Sequence, residues 1–145
     1  MRQPNAVYPL PERLSPDLAQ VLDYWEGLKR GEAEIPFWDD VKLTALPHLG
    51  RTLAIVDVFE GPERFRYSIV GADLADGQDG DVAGRFLDEA ELGPPLDFMR
   101  AQCAATVEAA SPTYFAPDDE GYGRLVLPLW GEGQIRMLLV AADNA

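Results

Sequence analysis

With 145 residues, 47% of them hydrophobic and 26% charged, the chain has the size and composition of one soluble globular domain, residues 1–145, without internal repeats or low-complexity tracts. Its 25 acidic and 12 basic residues leave a net charge of -13 and a pI near 4.3, a field that repels phosphate backbones and anionic headgroups, so neither nucleic acid nor a membrane surface is expected as a partner. Met1-Arg2-Gln3-Pro4 lacks a signal peptide's apolar run, no stretch reaches the ~18 apolar residues of a membrane span, and the single Cys103 precludes an internal disulfide or a cysteine-built zinc site; a cytoplasmic protein is expected.

The first predicted element is a helix within residues 14–31. Ser15 caps it, Pro16 suits its first position, Asp17 favours its positive end, and Lys29-Arg30 before Gly31 marks its stop. Leu14, Leu18, Val21, Leu22, Trp25 and Leu28 form one apolar stripe opposite Asp23, Glu26 and Lys29, and that stripe requires a cover.

A linker with Pro36 and Asp39-Asp40 leads through Leu46-Pro47-His48 into a strand over Thr52–Glu60. Gly61-Pro62 turns the chain into a second strand, Arg64–Val70, and the two read as an antiparallel hairpin. The glycine- and aspartate-rich stretch Gly71–Gly93 predicts short helices and turns. Pro94-Pro95 opens a second full helix with Leu96, Met99, Cys103 and Val107 on one side, ending before Ser111-Pro112. Strands over Thr113–Ala116, Arg124–Trp130 and Gln134–Ala142 follow, joined by short turns and hence antiparallel neighbours.

Both faces of the resulting sheet are apolar. Leu125, Leu127 and Leu129 alternate with Val126, Pro128 and Trp130; Ile135, Met137 and Leu139 alternate with Leu138 and Val140. Short helices on one face and the N-terminal helix on the other, with or without a partner subunit, satisfy this pattern. Pro128 cannot donate to a ladder and belongs at an edge or beside a bulge.

Two strands, short helices, one long helix and three strands, together with Tyr24-Trp25 and Ile35-Pro36, Leu46-Pro47-His48, Arg64-Phe65-Arg66-Tyr67 leading to Val70-Gly71, Gly84-Arg85 with Leu87-Asp88, and Leu127-Pro128-Leu129, resemble a PAS domain. More narrowly, the chain resembles a short, stand-alone PAS-like family common in alphaproteobacteria and formerly catalogued as a domain of unknown function. Ser68 stands where that family often carries an arginine, and Ala72-Asp73 where a small residue and a hydroxyl are usual. The resemblance implies an α+β fold with a core over residues 48–142, a five-stranded antiparallel sheet of order 2-1-5-4-3, a cavity under the helices of one face, and N-terminal helices that dimerise. It makes Phe65, Tyr67, Ile69, Phe86, Met99, Cys103, Leu127 and Met137 pocket candidates, and Leu18, Val21, Leu22 and Trp25 the interface of a homodimer or docking partner.

No residue pattern calls for a cofactor or metal. Cys103, in Ala101-Gln102-Cys103-Ala104, lacks the setting of a flavin-reactive cysteine, and His48 beside Pro47 reads as a loop contact instead of a haem ligand. The runs Asp73, Asp76, Asp79, Asp81 and Asp118-Asp119-Glu120 have no EF-hand spacing, and Gly77-Gln78-Asp79-Gly80 lacks the lysine of a phosphate loop. Asp57 is the most pointed acid: inside an apolar strand it either anchors a ligand, acts as a base, sits at the wet end of its strand, or pairs with Arg66 or Arg136 across the sheet.

The expected function is a non-enzymatic PAS-type sensory or adaptor module in bacterial signal transduction, with no catalytic residues of its own, that binds a small molecule or a signalling protein. The alternatives are a small α+β cone-fold isomerase or dehydratase, with Asp57 as base and Tyr67 or Tyr114 as proton donor, and a scaffold whose core is filled by Met99, Met137, Tyr67 and Leu127.

Overall fold

The computed structural model of the protein describes residues 8–78, 80–89, 92–117 and 121–144, apart from the side chain of residue 144. Helix α1 (Pro16–Gly27) starts where the sequence places it, with the Ser15 hydroxyl accepting from the Leu18 N–H at 3.3 Å. It ends at Gly27, short of the expected Lys29-Arg30, because a glycine weakens the helix before that pair is reached. Three 3-10 turns, Trp38–Asp40, Leu43–Ala45 and Pro47–Thr52, carry the chain to the sheet.

The sheet comprises β1 (Leu53–Phe59), β2 (Arg64–Val70), β3 (Thr113–Phe115), β4 (Tyr122–Gly131) and β5 (Gln134–Asn144), all antiparallel, in the expected order β2-β1-β5-β4-β3. Helix α2 (Ala72–Ala75) follows β2 at Gly71, where a Cβ would collide with the carbonyl oxygen of Arg51, so only glycine admits this approach. Helix α3 (Met99–Ala109) precedes β3. It begins later than Pro94-Pro95 suggested, because Phe98 adopts a left-handed backbone (φ 56) and stands as the N-cap; Leu96 is buried but lies before the helix.

Each sheet face has its own core. Ala54, Val56, Val58, Phe65, Tyr67 and Val140 pack with Leu74, Leu96, Met99 and Cys103 on one face. Leu53, Ile55, Leu125, Leu127, Leu129 and Leu139 pack beneath Leu18, Val21 and Trp25 of α1 on the other. Both outer edges are covered. The segment around Arg85 bonds to β2, with the Tyr67 N–H donating to the Arg85 carbonyl at 2.9 Å and the Leu87 N–H to that of Phe65 at 2.8 Å; the Tyr114 N–H of β3 donates to the Tyr8 carbonyl at 3.1 Å.

Two bulges break the period of two on which face assignments rest. Ile55 pairs with Ile69 but Val56 pairs with Tyr67, so Ser68 is an extra residue; Leu129 pairs with Met137 but Trp130 pairs with Ile135, so Arg136 is another. Phe65 and Tyr67 therefore face away from Ile69, and Ile135 faces away from Met137 and Leu139, contrary to simple alternation. Pro128 sits beyond the end of the β3 ladder, which reaches only Val126, and next to the second bulge, the place its missing N–H demands.

Candidate functional site

Strand β2 and helix α3 do not close on each other completely. Between them, under the segment that covers the β2 edge, lies a cleft of about 610 Å³, within the usual range for small-molecule sites. The alternation of β2 sends Phe65 and Tyr67 into its floor, and α3 adds Met99, Ala101 and Ala104, with Leu96 from the turn before the helix. Glu63, Asp88, Glu89 and Arg100 line it with charge. Phe98, 60% exposed, also lines it, and its left-handed backbone holds a large ring in the open, next to Phe115 at 6.1 Å between centroids.

Of the pocket candidates, Phe65, Tyr67 and Met99 line this cleft. Cys103 belongs to the same core and is fully buried. Four others are placed elsewhere. Leu127 and Met137 belong to the core under α1, on the opposite face of the sheet. Ile69 is turned to that face by the Ser68 bulge and is 50% exposed. Phe86 bridges to Arg66 at the outer edge of β2 and stacks with Phe59, 5.7 Å away, and with the Arg64 guanidinium, 3.8 Å away. With Leu127 and Met137 on the far side, the four residues proposed to fill one core do not meet.

The interface candidates also need correction. Leu18, Val21 and Trp25 are each only 1% exposed, and Leu22 is half-buried, because the α1 stripe lies on its own sheet. The surface assigned to a second subunit is interior to the single chain.

Asp57 makes the pairing that the sheet allows. Its Oδ2 accepts from Nη2 of its cross-strand neighbour Arg66 at 2.8 Å, and its side chain is 14% exposed. Asp57 lies between Val56 and Val58, which face the cleft side, so it faces the other way, whereas Tyr67 faces the cleft. The two groups of the isomerase reading are thus on opposite sides of the sheet. Tyr114, the other donor considered, packs against the core under α1, where burial and Asp143 push its phenol up. His48 meets Gln20 of α1, Nε2 to Oε1 at 3.0 Å, and Asp73 pairs with Arg51 at 2.8 Å. Asp79 and Asp118-Asp119-Glu120 lie outside the described residues; among those described, no three potential ligands cluster as a metal would need, and no helix is long and apolar enough to cross a membrane.

The residue that sequence reasoning missed is Arg124. It is 0% exposed on the cleft side of the sheet, its Nε donates to Gln102 Oε1 at 2.7 Å, and its Nη1 donates to the carbonyls of Pro95 and Asp97, both at 2.8 Å. Its Nη2 has no hydrogen-bond partner among the described residues, and the guanidinium lies over the Phe115 and Tyr122 rings, 5.1 and 5.8 Å from their centroids. Gln102 in turn donates to Thr113 Oγ1 at 3.1 Å, and Thr113 shares a 2.6 Å hydrogen bond with Thr106. Tyr122 donates to the Asp97 carboxylate. Burial lowers the pKa of the guanidinium and raises those of its neighbours Cys103, to about 12, and Tyr67. The signal was present: Arg124 is in phase with Val126 on a strand whose two faces are apolar, and Gln102 falls between Met99 and Thr106 on the buried side of α3. Val107, expected in that stripe, is only half-buried.

No protein-family model, curated protein or solved structure matches the chain.

Proposed function

We propose that the protein is a PAS-type sensory or adaptor module of the bacterial cytoplasm, non-enzymatic, which holds a small molecule between β2 and α3 and passes its bound state to a signalling partner. One observation carries this reading: the 610 Å³ cleft beside a sheet of order β2-β1-β5-β4-β3. Its floor is apolar and its margin charged, the composition of a site that desolvates a ligand's body and orients its polar end. The cleft is also mechanically placed for signalling. Its α3 wall is joined through Gln102, Thr113 and Arg124 to β3 and β4, so a ligand that moves α3 moves the far edge of the sheet. A homodimer remains part of the proposal, but through a surface other than the α1 stripe.

The test is native mass spectrometry of freshly purified protein against its denatured mass. The expected result is a species with extra mass that is lost in Ala104→Trp, which fills the cleft. A bare species that also shows no thermal shift with apolar and amphipathic small molecules would overturn the proposal. The same spectrum reads the oligomeric state.

A further inference from the structure

Charge and apolar surface are separated by depth in the cleft. Its charged residues, Glu63, Asp88, Glu89 and Arg100, are all exposed and form the mouth. Much of that charge is answered locally: Asp88 pairs with Arg64 at 2.8 Å, Arg100 adds to the hold on the same carboxylate, and Glu89 Oε1 accepts from the Phe86 N–H at 3.1 Å. The floor is Phe65, Tyr67, Leu96 and Met99, each at most 3% exposed. Among these four the Tyr67 hydroxyl is the one strong hydrogen-bonding side-chain group.

That hydroxyl is unpartnered. The other buried polar side chains on this half of the sheet are bonded: Gln102 to Thr113 and Arg124, Thr106 to Thr113, and Tyr122 to Asp97. The Tyr67 side chain makes no hydrogen bond among the described residues, and its oxygen is not sealed in the core but opens on the cleft that the residue lines. Its main chain is the opposite case. The Tyr67 N–H donates to the Arg85 carbonyl at 2.9 Å and its carbonyl accepts from the Gly84 N–H at 2.7 Å, so β2 and the edge segment clamp the residue with its ring toward the cleft. A buried hydroxyl without a bond is costly, and one held rigidly at the floor of an apolar cleft is a group that orients a ligand.

We infer that the cleft takes an uncharged, mainly apolar molecule whose buried end carries a carbonyl oxygen, and that this oxygen accepts from the Tyr67 hydroxyl. This rests on the proposed ligand-binding role of the cleft. A phenol donates better than it accepts, because its oxygen lone pair is delocalised into the ring, and burial keeps this one protonated at neutral pH. An ion at the same depth would lose its hydration and meet no opposite charge on the floor, since the charges at the mouth are exposed and screened.

Four probes of one skeleton test it by calorimetry on the full chain at neutral pH: acetophenone; α-methylstyrene, with a methylene in place of the carbonyl oxygen; 1-phenylethylammonium, with an ammonium there; and benzoate, with a carboxylate. Tyr67→Phe should weaken acetophenone about fivefold, the scale of one buried neutral hydrogen bond, and should not weaken α-methylstyrene. Because the substitution breaks no internal bond, the urea midpoint of the bare protein should not fall. An equal loss for both probes would make the ring mere packing, no loss for either would leave the hydroxyl to water, and a lowered midpoint would give it an internal partner; each overturns the assignment. Tighter binding of either ion than of acetophenone would overturn the uncharged ligand. If α-methylstyrene binds, is lost in Ala104→Trp, and acetophenone does not bind, the cleft takes ligands but Tyr67 does not anchor them. If none of the four binds, the carbonyl ligand is overturned, and a bare native mass spectrum together with absent thermal shifts would remove the ligand-binding role as well.

Discussion

The indole Nε1–H of Trp25 donates to the carbonyl oxygen of Pro128 at 2.8 Å. The two residues raised separate questions in the sequence, one as an apolar helix position in need of a cover and the other as a proline within a strand. The structure answers them together. A strand residue's N–H and C=O point to the same side; on the side where Pro128 has no N–H to offer, β3 has already ended and α1 supplies the donor for its carbonyl.

Trp25→Phe should therefore destabilise the protein by about 1–3 kcal/mol, the cost of leaving a buried acceptor unpaired. Trp25→Asp should unfold the monomer instead of splitting a dimer, since it places a charge in the α1 core. Urea midpoints with near-ultraviolet circular dichroism check both; a folded Trp25→Asp variant of reduced solution mass would restore α1 as the subunit interface.

Gln102 joins α3 to β4 by accepting from Arg124 Nε and to β3 by donating to Thr113. Gln102→Leu leaves a buried guanidinium short of one acceptor, though Nη1 keeps the Pro95 and Asp97 carbonyls, and should cost about 1.5–3 kcal/mol. Gln102→Leu combined with Arg124→Met removes both polar partners and should recover part of that loss. Equal destabilisation in the single and double variants would show that the pair is not coupled.

Cys103 is fully buried, with its thiol pushed up to about 12 by desolvation. A disulfide reagent at neutral pH should modify it only as fast as the chain opens, with the rate rising across the urea transition. For the pH dependence, the unfolded thiol ionises near its ordinary value of 9.0 while the folded one stays protonated. The unfolded state then binds fewer protons, so stability should fall as pH rises from about 9 to about 12. Tyr67, also raised by burial, adds to the fall at the alkaline end. A flat urea midpoint across this range would contradict the burial of both groups.

Asp57 faces away from the cleft and pairs with Arg66, whose side chain is 41% exposed. Solvent screens such a pair, so Asp57→Asn should cost less than about 1 kcal/mol and leave ligand binding in the cleft unchanged. A large loss of the retained mass, read by native mass spectrometry, would mean that the ligand lies on the other face of the sheet.

The elements were legible where local chemistry decides them. Ser15-Pro16 starts α1, Gly61-Pro62 turns the hairpin, and the apolar runs mark β1, β2, β4 and β5 within a few residues. Half of the pocket was legible too, because Phe65 and Tyr67 alternate in step and Met99 sits on the buried side of α3. Ile69, Leu127 and Met137 were misplaced for two reasons. Leu127 and Met137 sit on strands apolar on both sides, and hydrophobicity alone cannot say which side faces the cleft; Ile69 lies beyond a bulge that shifts the register by one residue.

The sequence by itself determined the element order, the antiparallel pairing of neighbours and the acidic surface, since turn chemistry, periodicity and charge act over a few residues or add over the whole chain. Tertiary structure alone decided that the α1 stripe covers its own sheet, that Asp57 and Tyr67 are separated by that sheet, and that Arg124, Gln102 and Thr113 share a buried network. Each of these depends on which distant segments meet. Burial and partnership belong to contacts between residues far apart in the chain, and two single-residue bulges were enough to reverse a face.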